Sequence, residues 1–218
     1  MVKFALACEG ITDQIVLENI LCGFYKDYDD LDEEIQAFQP PYDTTQQKQK
    51  DDEFGGWEML LSYLSEKRFR ENVLNSEYMI IQIDTDISEH PNFGVSQKDL
   101  STKELIKKVI EELITRIDSK KPFYQNNKAK IFFAISVHSL ECWILPLFYD
   151  SDKKGKITGC ADALNREASK KIKRLNFDKN HSVYNKLSNQ FNKNKILLEI
   201  ASKNSSFQIF ISSLPSKI

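Results

Sequence analysis

Tyr-Met-Ile-Ile-Gln-Ile-Asp-Thr-Asp, residues 78–86, decides the fold. Residues 78–83 are almost continuously apolar and run straight into Asp84. A strand of that kind is covered on both faces, as in a parallel sheet. Upstream, Trp57, Leu60, Leu61 and Leu64 stand at helical spacing and predict a helix running to about Val73. Downstream, Leu105, Ile106, Val109, Ile110, Leu113 and Ile114 form the buried side of an amphipathic helix over Ser101–Ile117. Lys130–Val137 reads as the next strand, and His138–Leu147 as another helix. At the N-terminus Val2–Cys8 is a short apolar strand ending in Glu-Gly. Thr12 then caps a helix over about 13–25, with Ile15, Val16, Ile20 and Leu21 inward. Gly10 lets the backbone turn sharply between the two.

Glu34–Gln39 reads as a further strand, stopped by Pro40-Pro41. Residues 40–56 are polar and turn-rich, which predicts a loop or flap. After Tyr149 the pattern changes to Lys- and Asn-rich helical pieces, ending in Phe207–Leu214. Strand and helix alternate, so the chain reads as an α/β domain with a mainly parallel central sheet flanked by helices. Residues 1–150 form the core, and residues 151–218 a basic helical extension packed on it in the same structural domain.

Composition fits this reading. The chain has 218 residues, of which 41% are hydrophobic and 28% charged, as in an ordinary globular protein. No apolar run approaches the roughly 20 residues that cross a bilayer. The apolar start halts at Glu9 without a cleavage-site pattern, which argues against a signal peptide. Cys8, Cys22, Cys142 and Cys160 are scattered and suggest no zinc site. They read as reduced, mostly buried thiols of a cytoplasmic protein. The net charge of −2 hides an asymmetry. Residues 1–150 carry 16 Lys and Arg against 27 Asp and Glu, a net of −11, and residues 151–218 carry 14 against 5, a net of +9. Cations held by the front and phosphates contacted by the tail would account for that division, as would a solvated Lys-rich surface.

Ligands of open parallel sheets bind at the carboxyl ends of the strands. Three strands deliver acids there: the first in Glu9-Gly-Ile-Thr-Asp13, the next in Asp84-Thr-Asp86, the last in Ser139-Leu-Glu141. Five carboxylates on one edge repel one another unless a cation lies among them. Hard oxygen donors without a Cys or His pattern favour one or two Mg²⁺ or Mn²⁺ ions over zinc.

In this ordered set the chain resembles the Toprim (topoisomerase–primase) domain. Within it, the chain is most similar to the overcoming-lysogenization-defect nucleases and the small stand-alone Toprim proteins of bacterial defence loci. Glu9 and Asp13 match the family's Glu-x-x-x-Asp motif, Asp84 and Asp86 its Asp-x-Asp, and Ser139 and Glu141 its Ser-x-Glu. Glu-Cys-Trp at 141–143 resembles the Glu-x-Trp of the small forms, and Lys186 lies where their Tyr-x-Lys segment occurs. The resemblance spans Val2 to about Leu187. It implies a metal-dependent nuclease acting on DNA or RNA, an effector of anti-phage defence controlled by a partner ATPase. The large members carry that ATPase themselves. This chain has no Gly-x-x-x-x-Gly-Lys-Ser/Thr loop, which implies a separately encoded partner.

The roles implied are these. Asp84, Asp86 and Glu141 hold one metal, and Glu9 and Asp13 a second, with Glu9 alternatively the general base. Lys186 stabilises charge in the transition state, and Ser139 orients a ligand carboxylate. Lys153, Lys154, Lys156, Lys170, Lys171, Lys173 and Arg174 are the densest basic clusters and would grip the nucleic-acid backbone. His90 and His138 read as structural histidines, and Trp57 and Trp143 as core. Two rivals stand beside this reading. Asp84-Thr-Asp86-Ile-Ser mimics the nucleophile motif of haloacid-dehalogenase-like phosphatases, although their motif follows the first strand. A catalytically silent docking subunit would keep the fold and need no metal. Homo-oligomerisation is left open by the sequence, and no membrane partner is expected.

Overall fold

In the computed structural model, residues 2–41, 56–149 and 158–218 are described. The strands β1 (Val2–Ala7), β2 (Ile35–Gln39), β3 (Ser76–Asp84) and β4 (Ile131–Ser136) form one sheet in the order β2-β1-β3-β4. Every pairing is parallel, so the protein is an α/β fold with a four-stranded parallel sheet. The strand order reverses beside β1, since β2 lies on one side of it and β3 on the other. That is a topological switch point, where doubly wound sheets open a crevice. In register, Ala7 faces Ile81 and Asp84 faces Ser136, so the acidic segments leave the sheet at neighbouring positions.

Helices cover both faces. Ala5, Ala7, Met79, Ile81, Ile83 and Ile135 pack against α2 (Trp57–Ser65), α3 (Lys67–Asn75) and α4 (Thr102–Asp118). Phe4, Leu6, Cys8, Ile80 and Ala134 pack on the opposite side. That layer holds α1 (Ile11–Phe24), α6 (Glu141–Ile144), α7 (Cys160–Lys171), α8 (His181–Ser188), α9 (Asn194–Ala201) and α10 (Ser205–Ser213). A short helix, α5 (Tyr124–Asn127), precedes β4. Trp143 is wholly buried, stacked on Phe207 and Phe210, and its Nε1 donates to Ser206 Oγ at 2.8 Å. Among the described residues no helix is long and apolar enough to cross a membrane.

The C-terminal helices share one apolar core with α1, which is buried almost all round. Asn19 Nδ2 donates to Asn185 Oδ1 at 3.1 Å and to Ser188 Oγ at 2.9 Å, and Asn192 Nδ2 donates to Asn19 Oδ1 at 2.9 Å. Gly23 makes the approach possible, because a Cβ there would lie 1.8 Å from the carbonyl oxygen of Phe191. Gly23→Ala is therefore expected to destabilise the protein by on the order of 3 kcal/mol, roughly 10 °C in melting temperature. An unchanged melting curve would refute this docking of residues 189–192 on α1.

Several local expectations need correction. The first helix begins at Ile11 with Gly10, not Thr12, as its N-cap. Asp13 Oδ2 accepts the Gly10 N–H at 2.7 Å and so draws the start of the helix forward. Gly10 is extended (φ −139°), so no turn demands glycine. What glycine provides is room, since a Cβ would meet Asp13 Oδ2 at 3.3 Å. The helix expected from Trp57 to Val73 is two helices, broken at an extended Glu66. Buried Arg70 enforces the break, its Nη1 donating to the carbonyls of Ser65 and Glu66. Glu34 ends a short 3-10 turn before β2. The helix expected from His138 starts only at Glu141, because His138 takes a left-handed φ of 69°. Cys142 and Cys160 are not free thiols; α6 and α7 bring them together as a disulfide, a pairing that spacing alone does not reveal. Cys8 and Cys22 are free. Of the expected loop 40–56, residues 42–55 lie outside the described residues.

Candidate metal centre

The site is built from three adjacent strand ends. Glu9 and Asp13 come from the β1–α1 turn, Asp84 and Asp86 from the end of β3, and Glu141 from the first residue of α6. Side chains alternate along a strand, so Gln82, Asp84 and the facing Ser136 share the face that carries α1. Asp13 and Glu141 are buried, Glu9 and Asp84 half-buried, and Asp86 exposed at the rim.

Protein donors orient four of these carboxylates. The Asp84 N–H donates to Glu9 Oε2 at 3.4 Å, and the Gly10 N–H to Asp13 Oδ2. Gln82 Nε2 donates to Asp84 Oδ1 at 2.9 Å, and Tyr184 Oη to Glu141 Oε1 at 2.5 Å. The hydrogen bonds found among the described residues reach only one oxygen of each. Gln82, wholly buried, also accepts the Glu9 N–H at 3.3 Å and so ties the first motif to the second. The second motif is tied to the segment before the third by backbone groups and the Thr85 hydroxyl. The Thr85 N–H donates to Ser136 O, the His138 N–H to Thr85 Oγ1, and the Asp86 N–H to His138 O.

Electrostatics record the crowding. Burial, then Asp86 and Glu141, push Glu9 up to about 7 from its ordinary 4.5. Burial, then Glu9 and Glu141, hold Asp13 well above its usual range. Asp84 is raised by burial and by Asp13, Glu9, Glu141 and Asp86. Asp86 is raised by burial, with His138 opposing. Among the described residues, Lys179 is the cation facing this set. Glu141, Asp13, Asp84 and Glu9 raise it against the opposing effect of partial burial. Much of Lys179 remains in water, so each pairwise attraction is screened.

These carboxylates fit a hard divalent cation by donor chemistry, and one further observation points the same way. Ser136 is wholly buried beside Asp84, and its Oγ has no hydrogen-bond partner among the described residues. A buried hydroxyl without a partner costs free energy unless something else occupies it. The acids perturb one another's charge, yet among the described residues no three already surround a single point that could hold an ion. Glu9, Asp84 and Glu141, with buried Asp13 and exposed Asp86, are the residues that would hold one.

No protein-family model, curated protein or solved structure matches this chain.

Other expected residues lie elsewhere. Lys186 is exposed and does not join the cluster. It stands two residues after Tyr184, about 200° further round α8, so a helix that turns Tyr184 inward must turn Lys186 outward. Ser139 is buried, and its carbonyl accepts the Cys142 N–H. Lys170 and Lys171 occupy the last turn of α7, where Lys170 pairs with Glu167 at 2.7 Å. Lys173 and Arg174 are exposed on the segment leading to Lys179. Lys153, Lys154 and Lys156 lie outside the described residues. Trp57 is half-buried, its ring 4.9 Å from that of His90.

Gln82, Tyr184 and Lys179 escaped the sequence reading. For Gln82 a signal existed: a lone amide in an apolar strand, two residues before Asp84 and hence on its face.

Proposed function

We propose that this protein is a metal-dependent nuclease of Toprim-like architecture that hydrolyses phosphodiester bonds. The observation that carries the reading is the set Glu9, Asp13, Asp84 and Glu141. They come from three adjacent strand ends, and each is held through one oxygen beside the cation Lys179. Bound Mg²⁺ or Mn²⁺ would supply Lewis-acid stabilisation of the reacting phosphate and a more acidic water. The chain's own residues do the remainder. Gln82, the Asp84 N–H and Tyr184 fix the carboxylates' directions before substrate arrives, so little reorganisation is needed. Burial and the neighbouring acids raise Glu9 to about 7 in the metal-free chain, and a bound cation would favour its charged, ligating form. Lys179 at the rim places positive charge where a phosphate would enter. Lys173 and Arg174, on the same segment, extend that charge along a strand's path. The resemblance extends the proposal to an anti-phage effector in the bacterial cytoplasm, controlled by a separately encoded ATPase.

The test uses the full chain with DNA and RNA oligonucleotides and p-nitrophenyl phosphate. Cleavage of an oligonucleotide with Mg²⁺ or Mn²⁺, stopped by excess chelator, is expected. Full cleavage in chelator would overturn the metal reading. Hydrolysis of the monoester alone would move the protein to the phosphatase class.

A further inference from the structure

A phenol from the C-terminal region reaches the acids of the site. Tyr184 is 1% exposed. Its hydroxyl has a single proton to give, and it gives it to Glu141 Oε1 at 2.5 Å. Glu141 begins α6, a helix of one turn that offers little rigidity of its own. At 5% exposure its carboxylate needs a donor, because buried acceptors without one are costly.

The phenol is itself fixed. Asn180 caps α8, accepting the Val183 N–H at 3.0 Å. Ser188 Oγ donates to the Tyr184 carbonyl at 2.7 Å and accepts from Asn19 at 2.9 Å. Asn19 lies on α1, the helix that carries Asp13. One chain of buried hydrogen bonds therefore runs from α1 through α8 to Glu141. On the other side of the site, Gln82 holds Asp84 in the same manner.

We propose that Tyr184 is a positioning residue of the metal centre, aiming Glu141 by engaging Oε1 and leaving Oε2 for the ion. This rests on the reading of the acids as a metal site. It makes the C-terminal region, through α8, a working part of that site.

The test is Mn²⁺ affinity of the full chain, measured by electron paramagnetic resonance, in four proteins: wild type, Tyr184→Phe, Glu141→Gln and the double variant. Tyr184→Phe keeps the ring and removes one oxygen. It should weaken Mn²⁺ binding about 10- to 100-fold. In the Glu141→Gln background the same change should have almost no further effect, since the carboxylate it aims is gone. A merely structural tyrosine would lower the melting temperature and leave Mn²⁺ affinity unmoved in both backgrounds; that result overturns the proposal. Equal losses in both backgrounds overturn it too. Failure of the wild type to bind Mn²⁺ would instead remove the metal centre, and this inference with it. Should Tyr184→Phe not fold, 3-fluorotyrosine at position 184 serves. Its fluorine resonance should shift on Mg²⁺ addition with the midpoint of metal binding, and a resonance that stays put counts against the role.

Discussion

Asp84→Asn is expected to abolish metal-dependent cleavage and to make the metal-free protein more stable at pH 8. The first effect follows from position. Asp84 ends the central strand β3, with Glu9 bonded to its backbone N–H and Gln82 to its side chain. Losing its charge would weaken the site's hold on the ion. The stabilisation of the reacting phosphate that the ion would supply is worth several kcal/mol, about a thousandfold in rate at 1.4 kcal/mol per factor of ten. The second effect follows from crowding. Burial and the neighbouring acids raise Asp84 and Asp13, and bring Glu9 to about 7. The folded chain therefore keeps protons that the unfolded chain has already released. Stability is full below the ordinary carboxylate range and is lost as pH rises through the folded values, near 7 for Glu9.

Thermal melts in chelator at pH 5 and pH 8 should show the wild type weaker at the higher pH. The amide of the Asp84→Asn variant carries no charge, so that variant should lose less, and added Mg²⁺ should restore the wild type alone. A metal-free wild type that melts higher at pH 8 than at pH 5 would contradict the crowding. Undiminished cleavage by Asp84→Asn would contradict the role.

The parallel sheet was legible because residues 78–83 are apolar on both faces and because acids follow three strands. The acids themselves were legible for the same reason: a strand's end is marked in sequence by the change from apolar to charged. What holds them was not. Tyr184 and Glu141 are 43 residues apart, and Asn19 and Ser188 are 169 apart. Contacts of that range depend on how α8 lies across α1, and no periodicity encodes it. The disulfide was hidden likewise, since Cys142 and Cys160 meet only through the packing of α6 against α7. The helix boundary at Glu66 was hidden because it rests on Arg70, which is buried and caps the carbonyls of Ser65 and Glu66. Lys186 shows the converse. The resemblance pointed to it by its place in the chain alone, and the helical rotation between it and Tyr184 turns it away from the acids.

That rotation yields the last prediction, which sets Lys179→Met against Lys186→Met. Lys179 precedes the α8 cap and faces Glu141, Asp13, Asp84 and Glu9, each of which favours its charged form. A cation at the rim of an acidic edge can stabilise the negative charge that grows on a phosphate during displacement. Removing one such group lowers turnover by about 10²- to 10³-fold. Lys179→Met should therefore cut turnover at saturating oligonucleotide by that much. Oligonucleotide affinity should change far less, since Lys179 is one contact among several basic ones. Lys186→Met, exposed on the outer side of α8, should leave turnover within about twofold. Single-turnover cleavage at saturating enzyme separates the two quantities. If Lys186→Met is the variant that loses turnover, α8 must rotate when substrate binds, and the hydrogen bond from Tyr184 to Glu141 cannot survive that rotation. If neither variant loses turnover, the acids and the ion act without a lysine, and Lys179 serves only to offset their charge.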